Sequence, residues 1–249
     1  MSLFSIFRRP LLLAVPVVAL AFGGCSKKDE PTPTPAPDQG KVAFVNAAAH
    51  IAPVTLKFLA DNSEKASQAY GTTSGYQNVL IGSRPIQVMA GSQSALTQSV
   101  TIEKDKNYTF IATPATSSSA VGGLFLTDDL SVPNPAKARI RVVHLGQNVS
   151  SPIKLSQVTS TANGPVVVDI VTNVASNTVS AITDFNPGTY NLSILDNAGV
   201  SRAEVGSGNG AGTGTKTYEA GKVYTLIVSG TAGSLNSEQS LKAFLSQNN

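Results

Sequence analysis

The sequence predicts an all-β protein built from two tandem sandwich modules. Three observations support this fold class. Short runs of β-branched and aromatic residues alternate with clusters of Gly, Pro, Asn and Ser. Long stretches of helical periodicity do not occur, and one sequence motif of the first half recurs in the second half. About seven strands per half suit a β-sandwich.

The first 24 residues have the pattern of a secretory signal peptide. Arg8 and Arg9 supply a positive start, and the apolar run Pro10–Phe22 follows them. This run is shorter than the roughly 20 residues that a membrane-spanning helix needs. We therefore expect residues 1–24 to be removed from the mature protein.

Cys25 is the single cysteine of the chain and follows the small residues Gly23 and Gly24. The sequence Phe22-Gly23-Gly24-Cys25 resembles the lipobox of bacterial lipoproteins. The resemblance implies lipidation of Cys25, cleavage just before it and a further acyl chain, such as palmitate, on the new amine. Two or more acyl chains anchor a protein stably. The alternative is an ordinary secretory signal followed by a chance cysteine.

Residues 25–40 are predicted to form a lipidated leader and a tether. The charged stretch Lys27–Glu30 resembles an export signal of bacterial lipoproteins, which favours the outer membrane and leaves open whether the protein faces the periplasm or the cell surface. The Pro/Thr-rich run Pro31–Gly40 favours polyproline II. Extended, Ser26–Gly40 would span roughly 45 Å.

An internal repeat defines the two predicted modules, residues 41–133 and 134–249. Thr101–Ile111 and Thr217–Ile227 share the pattern T-x-E-x-x-K-x-Y-T-x-I, which predicts a strand, a tight turn and a second strand. The module starts also match, since Val42–Ala47 resembles Ile140–Leu145. The boundary falls in the proline-containing segment Val132–Pro135.

Both modules resemble the bacterial family catalogued as domain of unknown function 4397. Three segments of the second module carry the resemblance: Arg139–His144, Phe185–Tyr190 and Glu219–Thr225. The first module is further from the pattern, with Asn46 in place of His144. The resemblance implies an immunoglobulin-like or transthyretin-like β fold in an envelope protein. It implies no established reaction or ligand, and therefore no site residue.

The composition argues against several classes of function. Charged residues make up 13% of the chain, about half of the usual share of roughly 25%. Arg8 and Arg9 contribute to the formal charge of +3, so the chain beyond the signal is nearly neutral and has no electrostatic basis for binding nucleic acid. With two histidines and no recognisable catalytic or metal-ligand spacing, we expect neither catalysis nor a cofactor or metal.

Three residues near the start of the second module are the candidate ligand contacts. Lys137, Arg139 and Arg141 occupy every second position and therefore share one face of a strand. On that face, Arg139 and Arg141 could meet an anionic glycan or lipopolysaccharide. The alternative is a solvated sheet face or a basic edge that deters strand pairing. His144 shares a face with Val142, and the alternative to ligand contact is a structural histidine at a strand end.

Two further segments are interpreted more simply. Asp128-Asp129 matches no calcium-loop spacing, so these residues are expected at a turn or a strand end. Residues 237–246 are either a strand or a short capped helix.

The sequence thus predicts a lipid-anchored, non-catalytic binding or adhesion protein of the cell envelope, with an envelope glycan or protein as its partner. One alternative is a structural spacer or scaffold of the envelope. An enzyme whose site the sequence does not reveal carries less weight.

Overall fold

The computed structural model describes residues 37–49, 51, 53–60, 63–114, 121–205, 214–236 and 239–249. These residues form strands and turns without a helix, so the predicted all-β class is confirmed. The predicted signal peptide, Cys25 and most of the predicted tether lie outside the described residues.

Eight strands are described in the first half of the chain. They are β1 (Gln39–Asn46), β2 (Val54–Phe58), β3 (Ser63–Gln68), β4 (Thr73–Leu80), β5 (Gly82–Ala90), β6 (Gln93–Ile102), β7 (Asn107–Pro114) and β8 (Val121–Asp128). They form two four-stranded sheets, ordered β4-β1-β7-β8 and β3-β2-β5-β6. β1 runs parallel to β7, whereas the other neighbours are antiparallel.

Eleven strands of varied length are described in the second half of the chain. They are β9 (Ala138–Gln147), β10 (Ile153–Thr161), β11 (Gly164–Val174), β12 (Thr178–Val179), β13 (Thr183–Phe185), β14 (Gly188–Tyr190), β15 (Leu192–Leu195), β16 (Ser201–Glu204), β17 (Lys216–Tyr218), β18 (Val223–Thr231) and β19 (Lys242–Gln247). Their sheets are ordered β12-β9-β18-β19, with β13 also on β9, and β11-β10-β15-β16, while β14 pairs with β17. β9 runs parallel to β18, as β1 does to β7.

Each half has its own hydrophobic core between its two main sheets. The first core draws its buried residues from positions 42–121, with Phe44, Phe58 and Phe110 among the largest. The second core draws them from positions 138–243, including Ile140, Leu155 and Leu226. The strands therefore form sandwich-like pairs of sheets, one pair in each half. The boundary between residues 133 and 134 remains a prediction.

A third cluster, the inter-module core, joins the two halves. Its buried members are Val45, Ala47, Ile111, Val143, Leu145, Ile227 and Phe244. Side chains alternate across a strand, so β1 turns Val42 and Phe44 toward its own core and Val45 toward the second module. Pro37–Asn249 consequently forms one compact unit. We call the sheets that contain β1 and β9 the inner sheets.

The sequence repeat corresponds to the same hairpin in both modules. Tyr108 Oη accepts a hydrogen bond from the Glu103 N–H at 3.1 Å, and Tyr224 Oη accepts one from the Glu219 N–H at 3.0 Å. A tyrosine hydroxyl that ties down backbone a few residues earlier is also found at a strand corner of immunoglobulin domains. The turn residue Gly221 has φ of +75°, which glycine adopts without strain.

Three segments differ from the sequence interpretation or decide between its alternatives. Residues 242–247 form strand β19 rather than a helix, because they pair with β18 over six residues. Ser63–Gln68, which shows no apolar alternation, is nevertheless strand β3 and pairs with β2. Thr189–Leu195 is one β-rich run in the sequence but is divided at Asn191: β14 before it pairs with β17, and β15 after it pairs with β10.

Candidate binding surface

Arg141, one of the predicted contact residues, lies inside the molecule. Its face of β9 is covered by the first module, and its side chain is 7% exposed. The guanidinium pairs with the Asp128 carboxylate and donates from Nε to Thr225 Oγ1 at 2.9 Å. The expectation of a solvated row of basic residues fails for Arg141, because alternation reveals which residues share a face but not what covers it.

Asp128 is the centre of the polar group that surrounds Arg141. Its side chain is 1% exposed and accepts hydrogen bonds from Thr109 Oγ1 at 2.7 Å and Tyr76 Oη at 2.6 Å. Asn248 Nδ2 donates to Tyr76 Oη at 3.2 Å, and Thr225 Oγ1 donates to Asn248 Oδ1 at 2.8 Å. We call Tyr76, Thr109, Asp128, Arg141, Thr225 and Asn248 the inter-module polar cluster.

The phenol of Tyr76 stays neutral in this cluster. Burial raises the pKa of Tyr76 well above its usual range, and the neighbouring Asp128 carboxylate raises it further. A neutral phenol can donate to that carboxylate, whereas a phenolate would repel it. The cluster therefore holds one negative and one positive side chain, both buried and paired.

His144, another predicted contact residue, is 0% exposed. Its Nδ1 accepts from the Gly146 N–H at 3.2 Å, and its Nε2 lies 3.5 Å from Ser176 Oγ. Burial lowers the pKa of His144 below 6.5, so the imidazole is neutral near pH 7. This is the environment of a histidine that organises the end of β9.

Arg139 is the predicted residue nearest the surface. Its side chain is 11% exposed, and it lies between two half-exposed carboxylates: Nη1 is 3.2 Å from Asp129 Oδ2, and Nε is 3.4 Å from Asp184 Oδ1. Hydrogen bonds from Ser131 lower the pKa of Asp129, and Arg139 lowers it further by a smaller amount. The positive charge of Arg139 is thus balanced within the molecule.

A surface depression of about 220 Å³ opens beside this ion pair. It is lined by Lys137, Gln157, Val168, Asp169, Ile170, Asp184, Phe185, Asn186 and Tyr190. Lys137 lies just before β9, four lining residues come from β13, β14 and the connection between them, and the other four come from the β10–β11 hairpin. The basic row through Lys137 and the segment that ends at Tyr190, both singled out in the sequence, meet here with Asp184, the partner of Arg139.

Hydrogen bonds and ring contacts fix the walls of the depression. Lys137 Nζ donates to Asn186 Oδ1 at 2.5 Å. Ser156 Oγ donates to Asp169 at 2.6 Å, and this hydrogen bond lowers the pKa of Asp169. Lys154 lowers the pKa of Asp169 further. The Tyr190 ring stacks on Tyr218 with centroids 5.3 Å apart. The Tyr190 hydroxyl donates to the Asn186 carbonyl, which holds the ring in place.

The lining of the depression suits hydrogen bonding rather than bond cleavage. Two carboxylates, an ammonium group and two amides are offered beside the rings of Phe185 and Tyr190. Each carboxylate has a cationic partner, Lys154 for Asp169 and Arg139 for Asp184. Sequence reasoning missed Asp169, Asp184 and Tyr190. Tyr190 ends the Phe185–Tyr190 segment that carries the family resemblance, whereas nothing local marks the two aspartates.

A larger cavity of about 480 Å³ lies where the described chain begins. It is lined by Pro37, Asp38, Gln39, Gly40, Lys41, Asn78, Lys104, Asp105 and Asn107. The ion pair between Lys104 and Asp38, with N and O 2.7 Å apart, belongs to this wall. Without an aromatic ring among its lining residues, it offers less to an organic ligand than the depression beside Tyr190 does.

The described residues contain neither a group of metal ligands nor a membrane-spanning helix. Within this part of the chain, no three His, Cys, Asp or Glu side chains gather as a metal ion would require. None of the described segments is a helix long and apolar enough to cross a membrane.

A family model matches part of the chain. Residues 40–151 match the family model described as Domain of unknown function (DUF4397). The match spans β1 to β9, so this chain carries a DUF4397-like module, as the resemblance implied. It falls mainly on the first module, although the second module supplied the segments that suggested the family.

Comparison with individual proteins adds little. No curated protein matches the chain. Three solved structures align with it, each a "putative cell adhesion protein": from Bacteroides uniformis ATCC 8492 (9% identity, 87% of this chain, 98% of the other, TM-score 0.26), Parabacteroides distasonis ATCC 8503 (10%, 85%, 99%, 0.22) and Bacteroides eggerthii DSM 20697 (10%, 85%, 96%, 0.22). Likeness at such TM-scores carries no argument about this chain.

Proposed function

We propose that this chain is a lipid-anchored, non-catalytic binding protein of the bacterial outer membrane, and that its ligand is a neutral envelope glycan. The observation that carries the proposal is the depression beside Tyr190. Sugar hydroxyls hydrogen-bond to carboxylates and amides, and the C–H face of a sugar ring packs on an aromatic ring. Asp184, Asn186 and Tyr190 offer these groups side by side.

The charge of the depression favours a neutral glycan over an anionic one. Arg141 and Arg139, which the sequence suggested as contacts for an anion, are already paired with carboxylates. Asp169 of the lining is paired with Lys154, and Asp184 shares Arg139 with Asp129, so the charges around the depression balance once Lys137 is included. A polyanion would gain no net attraction at this surface.

The size of the depression favours a polymer. About 220 Å³ is below the roughly 300–1,000 Å³ of small-molecule pockets, so one site accommodates a single ring and binds weakly. Several anchored copies on one polymer raise the overall affinity without new contacts. Weak individual sites and a repetitive ligand therefore suit each other.

Substitution of Tyr190 tests the proposal. In pull-downs and calorimetry with neutral and anionic envelope polysaccharides, the chain from Ser26 onward should retain a neutral polymer. Tyr190→Ala should weaken binding about tenfold or more, the range for loss of an aromatic anchor. Tyr190→Phe keeps the ring and is the control that should bind nearly normally. The proposal fails if no polymer is retained, or if Tyr190→Ala binds as wild type.

The anchor has its own test. Cells fed an alkyne fatty acid should label the wild-type chain, which should sediment with outer membranes. Cys25→Ser should lose the label and leave the membrane fraction. Membrane retention of an unlabelled Cys25→Ser chain would contradict lipid anchoring while leaving glycan binding open.

A second function, that of an envelope spacer, is favoured by the inter-module core. A buried apolar cluster and a buried ion pair join the modules into one unit, which could hold a fixed distance. A deletion strain that has a weakened envelope but normal adhesion would favour the spacer.

A further inference from the structure

The β10–β11 hairpin changes character along its length. Its base is buried, with Leu155 in the second core and Val171 beside it. Toward the turn, Val166, Val167 and Val168 are 51%, 45% and 54% exposed. Consecutive strand residues point to opposite faces, so three exposed valines in a row mean that both faces of the hairpin are uncovered there. We call residues 156–168 the valine arm.

The valine arm also lies at an edge of its sheet. The order is β11-β10-β15-β16, and in the described part of the chain β11 pairs with β10 alone. An edge strand offers backbone N–H and C=O groups to another strand. Exposed edges are usually protected by charged residues, by proline or by a short length. β11 has Pro165 near its start but no charged residue before Asp169.

The first module provides the contrast. Its edge strand β3 occupies the same place in the order β3-β2-β5-β6 and has the sequence SEKASQ. Glu64 and Lys65 bring charge to that edge, and its exposed positions are polar. The first module thus has a protected edge where the second has three exposed valines.

We propose that β11 is the contact through which two copies of this chain pair, strand against strand, around a two-fold axis at Val167. In this antiparallel register Val166 lies opposite Val168 of the second copy, and Pro165 lies opposite Asp169. The inference does not rest on glycan binding, although Gln157 and Val168 of the arm also line the depression beside Tyr190.

Charge selects a second copy as the occupant. The valine arm contains no Asp, Glu, Lys or Arg, so two arms meet without like charges facing each other. A strand with the charge pattern of β3 would instead place unpaired charges against valine. A two-fold contact is self-complementary, so one apolar patch supplies both sides. Pro165 lacks an N–H and ends the ladder early, which keeps the contact short and reversible.

Sedimentation of the chain from Ser26 to Asn249, which contains the whole compact unit, tests the pairing. With rising concentration the wild-type mass should move from that of one chain to twice that value. Val167→Lys should remain monomeric throughout. Ser67→Lys, which adds the same charge to the edge strand β3, is the matched control and should still double its mass. Thermal unfolding should establish that each variant is folded.

A crosslink gives a second measurement should Val167→Lys not fold. The segment from Ser26 to Asn249 begins after Cys25 and therefore contains no cysteine. Val167→Cys places two thiols near the two-fold axis and should form a disulfide-linked dimer under mild oxidation, whereas Ser67→Cys should not. A wild-type monomer at every concentration, persistent dimers of Val167→Lys, or equal crosslinking of the two cysteine variants would overturn the proposal.

Discussion

The two modules use the same hydrogen-bond framework but carry different charges. Thr109 donates to Asp128 in the first module, and Thr225 donates to Asn248 at the equivalent place in the second. Arg141 on β9 corresponds to Ala43 on β1. One module thus replaces an amide with a carboxylate, and the other replaces a methyl group with a guanidinium group.

These two replacements meet across the inter-module core. A buried carboxylate costs several kcal/mol unless a positive partner and hydrogen bonds compensate, and Arg141 of the opposite module supplies that partner. The difference between the repeats therefore lies where they contact each other. A duplicated module can keep its own framework and still acquire a specific partner by changing one position on each inner sheet.

Removal of Asp128, the carboxylate that the first module has in place of Asn248, should have the largest effect on stability. Asp128→Ala leaves the Arg141 guanidinium buried without its carboxylate, and losses of about 3–5 kcal/mol are typical of such changes. The free energy of unfolding, measured with urea, should fall by that order. A loss below about 1 kcal/mol would show that the pair contributes little.

A double variant separates the ion pair from the framework. Asp128→Asn with Arg141→Ala gives both modules the residues that Asn248 and Ala43 already provide. It should recover most of the stability lost in Asp128→Ala, because no unpaired charge stays buried. Failure to recover would place the cost in packing rather than in charge.

A smaller change in each repeat tests the hydrogen-bond framework that the two modules share. Tyr108→Phe and Tyr224→Phe each remove one hydrogen bond to backbone, which should cost about 1 kcal/mol. Equal losses in urea unfolding would show that the hairpins are energetically matched. Tyr218→Phe is the control: the Tyr218 hydroxyl is buried and has no hydrogen-bond partner among the described residues, so its removal should cost nothing. Unequal losses would mean that the repeat is one of sequence only.

Local turn chemistry explains what the sequence predicted well. The T-x-E-x-x-K-x-Y-T-x-I repeat identified both hairpins because the tyrosine reaches backbone only five residues away. The segment of β3 has no strand signal of its own, because its partner β2, rather than its composition, makes SEKASQ a strand. Distance in the chain explains the missed site residues: Asp169, Asp184 and Tyr190 come from β11, β13 and β14 and meet only after folding.

Arg141 and His144 mark a different limit of sequence reasoning. Alternation along β9 correctly put them on opposite faces, with His144 beside Val142 and Arg141 beside Arg139. It could not reveal that one of these faces packs on another module, because that contact depends on the arrangement of whole sheets.

The smallest expected effect concerns Asn46 and His144, which occupy equivalent positions in the two modules. Asn46 Oδ1 accepts from the Ala48 N–H at 2.9 Å, and His144 Nδ1 accepts from the equivalent Gly146 N–H. The imidazole alone can titrate. Because its folded pKa is lowered, the unfolded chain binds a proton first as the pH falls through 6.5.

Stability should therefore decline below about pH 6.5 and be unaffected by His144 above it, with a slope of at most about 1.4 kcal/mol per pH unit for a single proton. His144→Asn keeps an acceptor for Gly146 and should remove this slope, as read from urea unfolding between pH 5 and 8. An unchanged slope in His144→Asn would assign the pH dependence elsewhere. A flattened slope would mean that Asn46 and His144 perform one structural task, and that the second module performs it with a side chain sensitive to pH.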